Sequence, residues 1–292
     1  MRLATLFLLL IAGAALAADT ARERLVAAGW APEVASRIAE RLATARGRVV
    51  AVFDHDGTLM HGDVTMGCGT QPGVLREMLQ QRHLAPAGLA QIASWMEPDP
   101  WAAYCAWTTR EPMRAYGWLP TVLAGQSVAA IEKLARERYR DTYRRWLFPE
   151  MQALLAVLRD AGVEIYVVSA SAQPLLEAAA PWLGIPRERV FGIHVKEKGG
   201  VYLPEIEPPP SYASGKVWVI EHRVRPSSLA NLLTFGDSYV SDGPMLRLAA
   251  RHGGVGVLID PPPDVLPKLA RDGLLHQTFA SHLRFAAETG PH

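Results

Sequence analysis

Five short apolar runs punctuate this chain: Val49 to Phe53, Val163 to Val168, Val190 to Val195, Leu229 to Phe235 and Val255 to Ile259. The segments between them carry helix signals. Pro149 opens a helix through Leu158 that Gly162 ends, and Pro174 to Leu183, Lys216 to His222 and Met245 to Arg251 supply others. Strands that are apolar on both faces and separated by helices predict a parallel sheet covered on both sides, an α/β fold. Gly199-Gly200 predicts a hairpin turn into Val201-Tyr202-Leu203, and Pro261-Pro262-Pro263 stops the fifth run. In such a sheet ligands bind beyond the carboxyl ends of the strands. The residues that directly follow each run are therefore the candidates for function.

The first run ends in Asp54-His55-Asp56-Gly57-Thr58. Side chains alternate along a strand, so two carboxylates two residues apart share one side of the backbone. One of them can serve as nucleophile or metal ligand and the other as general acid and base. The same residues also suit a strand followed by an Asx-type turn, because Asp-Gly is a common turn pair.

Similar clusters stand at equivalent places. Ser169-Ala170-Ser171 follows the second run, and Gly236-Asp237-Ser238-Tyr239-Val240-Ser241-Asp242-Gly243 follows the fourth. Ser214-Gly215-Lys216 sets a lysine at a helix start, where the helix dipole disfavours a cation. An anionic ligand would supply the reason for a lysine there.

These four pieces, in this order, resemble the four motifs of the haloacid dehalogenase superfamily, specifically its Asp-x-Asp-x-Thr phosphohydrolases. The resemblance implies a Rossmann-like core, a magnesium ion and an aspartyl-phosphate intermediate. It implies that Asp54 attacks phosphorus and ligates Mg2+, and that Asp56 protonates the leaving group, activates the water and offers its carbonyl to the metal. Thr58, Ser169, Ala170 and Lys216 are implied on the phosphate side, with Asp237 and Asp242 as further acidic groups for the metal. Clustered carboxylates repel unless a dication lies among them, and magnesium prefers hard oxygen ligands. Asp56 favours a phosphatase over relatives that lack this acid, with a phosphomutase, a phosphoserine phosphatase-like enzyme or a non-catalytic phosphate-ester binding protein as alternatives.

The stretch from Gly73 to about Trp146 breaks the alternation and predicts a mostly helical insert, at the position of the superfamily's C1 cap. The expected organisation is a signal peptide at 1–17, helices over 18–47, a core of 48–72 with 148–292, and a cap over 73–147. The insert holds many aromatics, among them Trp95, Trp118 and Tyr116, which as single rings are expected in the cap's own core, with a subset, Trp101, Tyr104 and Trp107, as the candidates for the substrate entrance. Tryptophan-rich pockets hold quaternary ammonium groups, and the chain resembles the superfamily's phosphorylcholine phosphatases. His55 is expected to lend its backbone to the phosphate loop, and His61 and His83 to lie on the surface.

Met1-Arg2, an apolar segment from Leu3 to Leu16 and Ala15-Leu16-Ala17 read as a secretory leader cut after Ala17. The apolar run is shorter than the roughly 20 residues that span a bilayer, so a periplasmic or secreted protein without stable membrane insertion is expected. A net charge of +1 offers no electrostatic footprint for nucleic acid, and the expected partner is a small phosphomonoester. Cys68 and Cys105 are the two cysteines, and their spacing leaves pairing open.

Overall fold

The structure, a computed structural model, describes residues 19–68 and 71–289. The predicted leader lies outside the described residues. Strands β1 (Val50–Phe53), β4 (Glu164–Ala172), β5 (Val190–Ile193), β8 (Leu232–Gly236), β9 (Val255–Ile259) and β10 (Leu275–Gln277) form one parallel sheet in the order β10-β9-β8-β1-β4-β5. The short pairs β2 (Gly67–Cys68) with β3 (Gln71–Pro72), and β6 (Val195–Lys198) with β7 (Val201–Ile206), are separate antiparallel ribbons. The main sheet and its covering helices make a Rossmann-like α/β core.

Strand β1 lies between β4 and β8, so the chain builds outward on one side and then on the other. That reversal opens a crevice at the carboxyl end of β1. All four residues of β1 are buried, as its unbroken apolar character requires. Phe53 stacks on Phe235 of β8 at 4.5 Å, and Trp30 meets Phe235 edge-on at 6.1 Å, which ties the first helices to the sheet. Burying each such ring contributes about 1.5–3 kcal/mol relative to leaving it in water.

Several boundaries differ from those expected. The run Val190 to Val195 is not one strand, because the chain leaves the sheet at His194 and Val195 pairs with Ile206 in the β6–β7 ribbon. The second strand extends past Val168 to Ala172, with a register irregularity where it passes the site. Residues Leu229–Asn231 form a short helical turn before β8, and the expected helix from Pro174 is split into Gln173–Glu177 and Ala180–Leu183. A sixth strand, β10, was not visible as an apolar run because only three residues pair.

Between β3 and the helix Pro149–Asp160 the chain is helical, with Val74–Gln80, Pro100–Arg110, Pro112–Trp118 and Val128–Arg138 as its main pieces. The β6–β7 ribbon reaches these helices through hydrogen bonds from Gly125 to Tyr202 and from Val128 to Gly200. Cys105 is exposed and carries a free thiol. No helix among the described residues is long and apolar enough to cross a membrane.

Candidate active site

The loop after β1 turns sharply at Gly57, whose φ of 72° is costly for any residue with a Cβ. A Cβ at this position would meet the Asp237 carboxylate at 2.1 Å, so the turn also brings the loops after β1 and β8 into contact. Asp54, Asp237 and Asp242 each offer an oxygen within 4.8 Å of the others. Asp54 and Asp242 are buried.

Lys216 lies among these carboxylates with no solvent exposure. Its Nζ donates to Asp54 Oδ1 at 2.7 Å and to Asp242 Oδ1 at 2.5 Å. Burial alone would drive the ammonium toward neutrality, but Asp242 and Asp54 outweigh it and push the Lys216 pKa up. This resolves its unfavourable place at the start of the helix Ser214–Val219. The other oxygen of Asp242 accepts from the backbone N–H groups of Asp237 and Ser238 at 3.0 and 2.9 Å. Asp242 thus shapes the loop that presents Asp237, and both its oxygens already have partners.

Burial, opposed by Lys216, pushes the Asp54 carboxyl up to about 6. Burial and then the neighbouring Asp242 and Asp54 raise Asp237 well above the usual carboxylate range. Three carboxylates against one ammonium leave an excess of two negative charges. A hard dication matches that excess and that donor set, so the residues present fit magnesium, with Asp54 and Asp237 as the side chains best placed to hold it.

Asp56 is gripped on both sides. Its Oδ1 accepts from the Val64 backbone at 3.1 Å and lies 2.8 Å from His55 Nδ1, while its Oδ2 accepts from the Ser171 hydroxyl. When Asp56 is ionised it only accepts, and the proton in the His55 contact is then on Nδ1. His55 Nε2 lies 3.1 Å from the hydroxyl of Tyr139, which belongs to the helical segment after Arg138. His55 therefore contributes its side chain, a role hidden from a reading in which neighbouring side chains simply point away. Ser171 was equally missed, because Ser169 alone occupies the expected motif position.

A cavity of about 340 Å3 opens above these groups and is lined by Asp54, Asp56, Ser169, Ala170 and Asp237. Thr58 and Lys216, expected at the phosphate, do not line it. Thr58 is fully buried and its hydroxyl donates to Asp237 at 3.3 Å, so it supports an acidic group instead. Lys216 reaches the site only through the carboxylates it bonds.

The three cap residues expected at the entrance are not there. Tyr104 is fully buried between Trp101, at 5.3 Å, and Trp118, at 5.9 Å, and Trp107 packs on Trp95 and Trp118. They pack against one another and their neighbours in the helical segment, Tyr104 buried and Trp101 and Trp107 half-buried, because rings this large are best accommodated against other rings. The aromatics that do line the cavity are Tyr116 and Tyr212, stacked at 4.7 Å.

Asp63 also lines the cavity and was missed. It accepts from the backbones of Thr65 and Met66 at 2.6 and 2.7 Å, and burial followed by the charge of Asp56 raises its pKa well above the usual range. The one signal for it was its place beyond the turn that follows the Asp pair. His61 is buried, not on the surface, with its ring among Trp146, Phe148, His282 and Phe285. His83 is exposed, as expected.

Among solved structures the chain is similar to a protein of unknown function from Bordetella pertussis Tohama I, at 20% identity and a TM-score of 0.55 over 79% of this chain and 98% of that one. A conserved functionally unknown protein from Anaerococcus prevotii DSM 20548 aligns at 17% identity and a TM-score of 0.62, covering 85% and 92%. Cytosolic 5'-nucleotidase IIIB bound to cytidine aligns at 13% identity and a TM-score of 0.57, covering 88% and 89%. At these identities the likeness is one of fold. No curated protein matches the sequence. A family model described as haloacid dehalogenase-like hydrolase matches residues 51–247.

Proposed function

The chain belongs to the haloacid dehalogenase-like hydrolases, and from that membership we propose that it is an exported, magnesium-dependent phosphomonoesterase acting through an aspartyl-phosphate on a small phosphorylated metabolite. The observation that carries this reading is the buried Asp54, paired with Lys216 at 2.7 Å and opening onto a cavity that Asp56 also lines. Export rests on the leader pattern of residues 1–17.

In this reading Asp54 attacks phosphorus in line with the leaving oxygen. Lys216 holds one Asp54 oxygen and so orients the other toward the cavity. Asp56, held by His55, Val64 and Ser171, delivers a proton to the departing alkoxide. It then takes a proton from the water that opens the aspartyl-phosphate, and is ready for another turnover. Ser169 and the backbone of Ala170 face the cavity where the phosphate oxygens would lie. Asp54 and Asp237 would hold Mg2+, which when bound neutralises phosphate charge. Phosphoryl transfer depends chiefly on positioning and charge neutralisation, and this constellation offers both.

The leaving group is read as cationic, of the phosphocholine or phosphoethanolamine kind. Asp63 supplies a carboxylate to the cavity, and Tyr116 and Tyr212 supply ring faces. A cation over such a face gains roughly 0.5–2 kcal/mol.

The chemistry is tested by hydrolysis of p-nitrophenyl phosphate with magnesium and with chelator, beside Asp54→Asn. Turnover that needs both the metal and Asp54 is expected; turnover indifferent to both sinks the mechanism. For the leaving group, phosphocholine and phosphoethanolamine are compared with glycerol phosphate. Preference for glycerol phosphate removes the cationic reading and leaves the phosphatase intact.

A further inference from the structure

The helix Ala280–Thr289 brings a further polar side chain to the cavity wall, His282. Its Nδ1 and Asp260 Oδ2 are both buried and face each other at 3.4 Å, an ion-pair distance, and neither atom has a hydrogen-bond partner among the described residues. Asp260 directly follows β9, on the same sheet edge as Asp54 and Asp237. It has a φ of 46°, in the left-handed region that costs a residue with a Cβ roughly 1–2 kcal/mol. The position is held by bonds in both directions. The Asp260 backbone N–H donates to Gln277 at 2.7 Å, and its Oδ1 accepts from the Phe279 N–H at 3.1 Å.

The imidazole is also fixed in orientation. It stacks on Phe148 at 6.1 Å and meets the His61 ring edge-on at 5.2 Å. The ring nitrogens lie on opposite edges, so with Nδ1 turned to Asp260 the Nε2 edge is turned away from it. About a third of the side chain is open, at 32% exposure, although Nδ1 is covered. In the neutral ring a carboxylate beside Nδ1 favours the proton on that nitrogen, and the lone pair is then on Nε2.

We propose that His282, positioned by Asp260, determines specificity by accepting a hydrogen bond at Nε2 from the N–H of a primary ammonium on the leaving group. Asp63 and His282 then serve one cation from the same cavity. A quaternary ammonium has no N–H to donate, so the arrangement separates ethanolamine-type esters from choline-type esters. The inference rests on the cationic leaving-group reading above and sharpens it.

The test measures kcat and KM for phosphoethanolamine, phosphocholine and glycerol phosphate on the full-length enzyme and on His282→Phe, His282→Gln and Asp260→Asn. Phenylalanine keeps the stacking on Phe148 but has no acceptor; glutamine retains one. The native enzyme is expected to favour phosphoethanolamine over phosphocholine by about tenfold in kcat/KM, the worth of one hydrogen bond to a charged group. His282→Phe should bring the ratio near one, chiefly through a raised KM for phosphoethanolamine, with a smaller change in the KM for phosphocholine. His282→Gln should restore part of the preference, and Asp260→Asn should lose part of it. The circular dichroism spectrum and urea midpoint of each variant report folding independently.

A native ratio near one overturns the proposal, as does an equal loss on both cationic esters in the histidine variants. If both cationic esters are preferred to glycerol phosphate yet the ratio ignores His282, only this inference fails. If glycerol phosphate is preferred to both, the cationic reading fails and takes this inference with it.

Discussion

The ammonium of Lys216 lies closer to Asp242 than to Asp54, at 2.5 Å against 2.7 Å, and Lys216 and Asp242 are both without solvent exposure. The lysine is therefore a strut between two loops as well as a neighbour of the nucleophile. Removing one partner of such a buried pair leaves charges with no compensation.

Lys216→Met is expected to destabilise the magnesium-free protein by about 3–5 kcal/mol and to cut turnover at least a hundredfold. Saturating Mg2+ should recover much of the stability and little of the turnover, since the metal replaces the charge but not the grip on Asp54. Urea titrations with and without Mg2+, read beside p-nitrophenyl phosphate kinetics, check this. Unchanged stability in chelator would show that Lys216 is not bearing the carboxylate repulsion.

Asp54 carries a pH signature. Its pKa is pushed up from 3.8 to about 6, burial acting against Lys216. The folded protein thus binds this proton more tightly than the unfolded chain does. The stability it contributes is fully present below about pH 4 and is lost as pH rises through about 6. A shift of this size corresponds to about 3 kcal/mol. In chelator, the urea midpoint of the native protein relative to Asp54→Asn should fall between pH 4 and pH 7. Mg2+ should flatten that fall, because a cation favours the ionised carboxylate. A flat difference in chelator would contradict the assignment.

Gly57→Ala is expected to abolish activity. The new methyl would have to adopt a φ of 72° and would lie 2.1 Å from the Asp237 carboxylate. Relief requires the loops after β1 and β8 to separate, which parts Asp54 from Asp237. Calorimetric Mg2+ titration should show affinity lowered at least tenfold while the circular dichroism spectrum stays native. Retained affinity would mean that the two loops do not meet at the metal.

Tyr139→Phe tests the link from the helical segment to the general acid. Tyr139 reaches Asp56 only through His55, at 3.1 Å and then 2.8 Å. Losing one buried hydrogen bond costs about 1 kcal/mol, so kcat should fall about fivefold with KM unchanged. His55→Phe should fall further, because it removes the donor that touches Asp56 directly. Equal activity in all three proteins would reduce the chain Tyr139-His55-Asp56 to packing.

Much of the core was legible in the sequence. A central parallel strand must be apolar on both faces, so Val50 to Phe53 and Val255 to Ile259 could be recognised with nothing else known. The weaker members were not legible. β10 has three paired residues and needs its neighbour β9 to exist as a strand, and His194 ends β5 because the β6–β7 ribbon captures the next residue. The acidic groups stood out because several of them follow buried strands at the one sheet edge where ligands bind.

What only tertiary structure decided is which side chains share one space. Trp101, Tyr104 and Trp107 have the right chemistry for an entrance, yet they turn toward each other, because apolar rings gain more from mutual burial than from lining a polar cavity. Asp63, Ser171 and His55 stand near the motifs and His282 far from them, and nothing local says what any of these side chains touches. They matter through partners tens of residues to well over a hundred residues away: Asp63 shares a cavity with Tyr116 and Tyr212, Ser171 bonds Asp56, His55 joins Tyr139, and His282 faces Asp260. By itself the sequence determined the sheet and its row of strand-end carboxylates, since periodicity and burial are local properties of the chain. The surroundings of the leaving group were decided by packing between segments far apart in sequence, because hydrogen bonds and charge act through space.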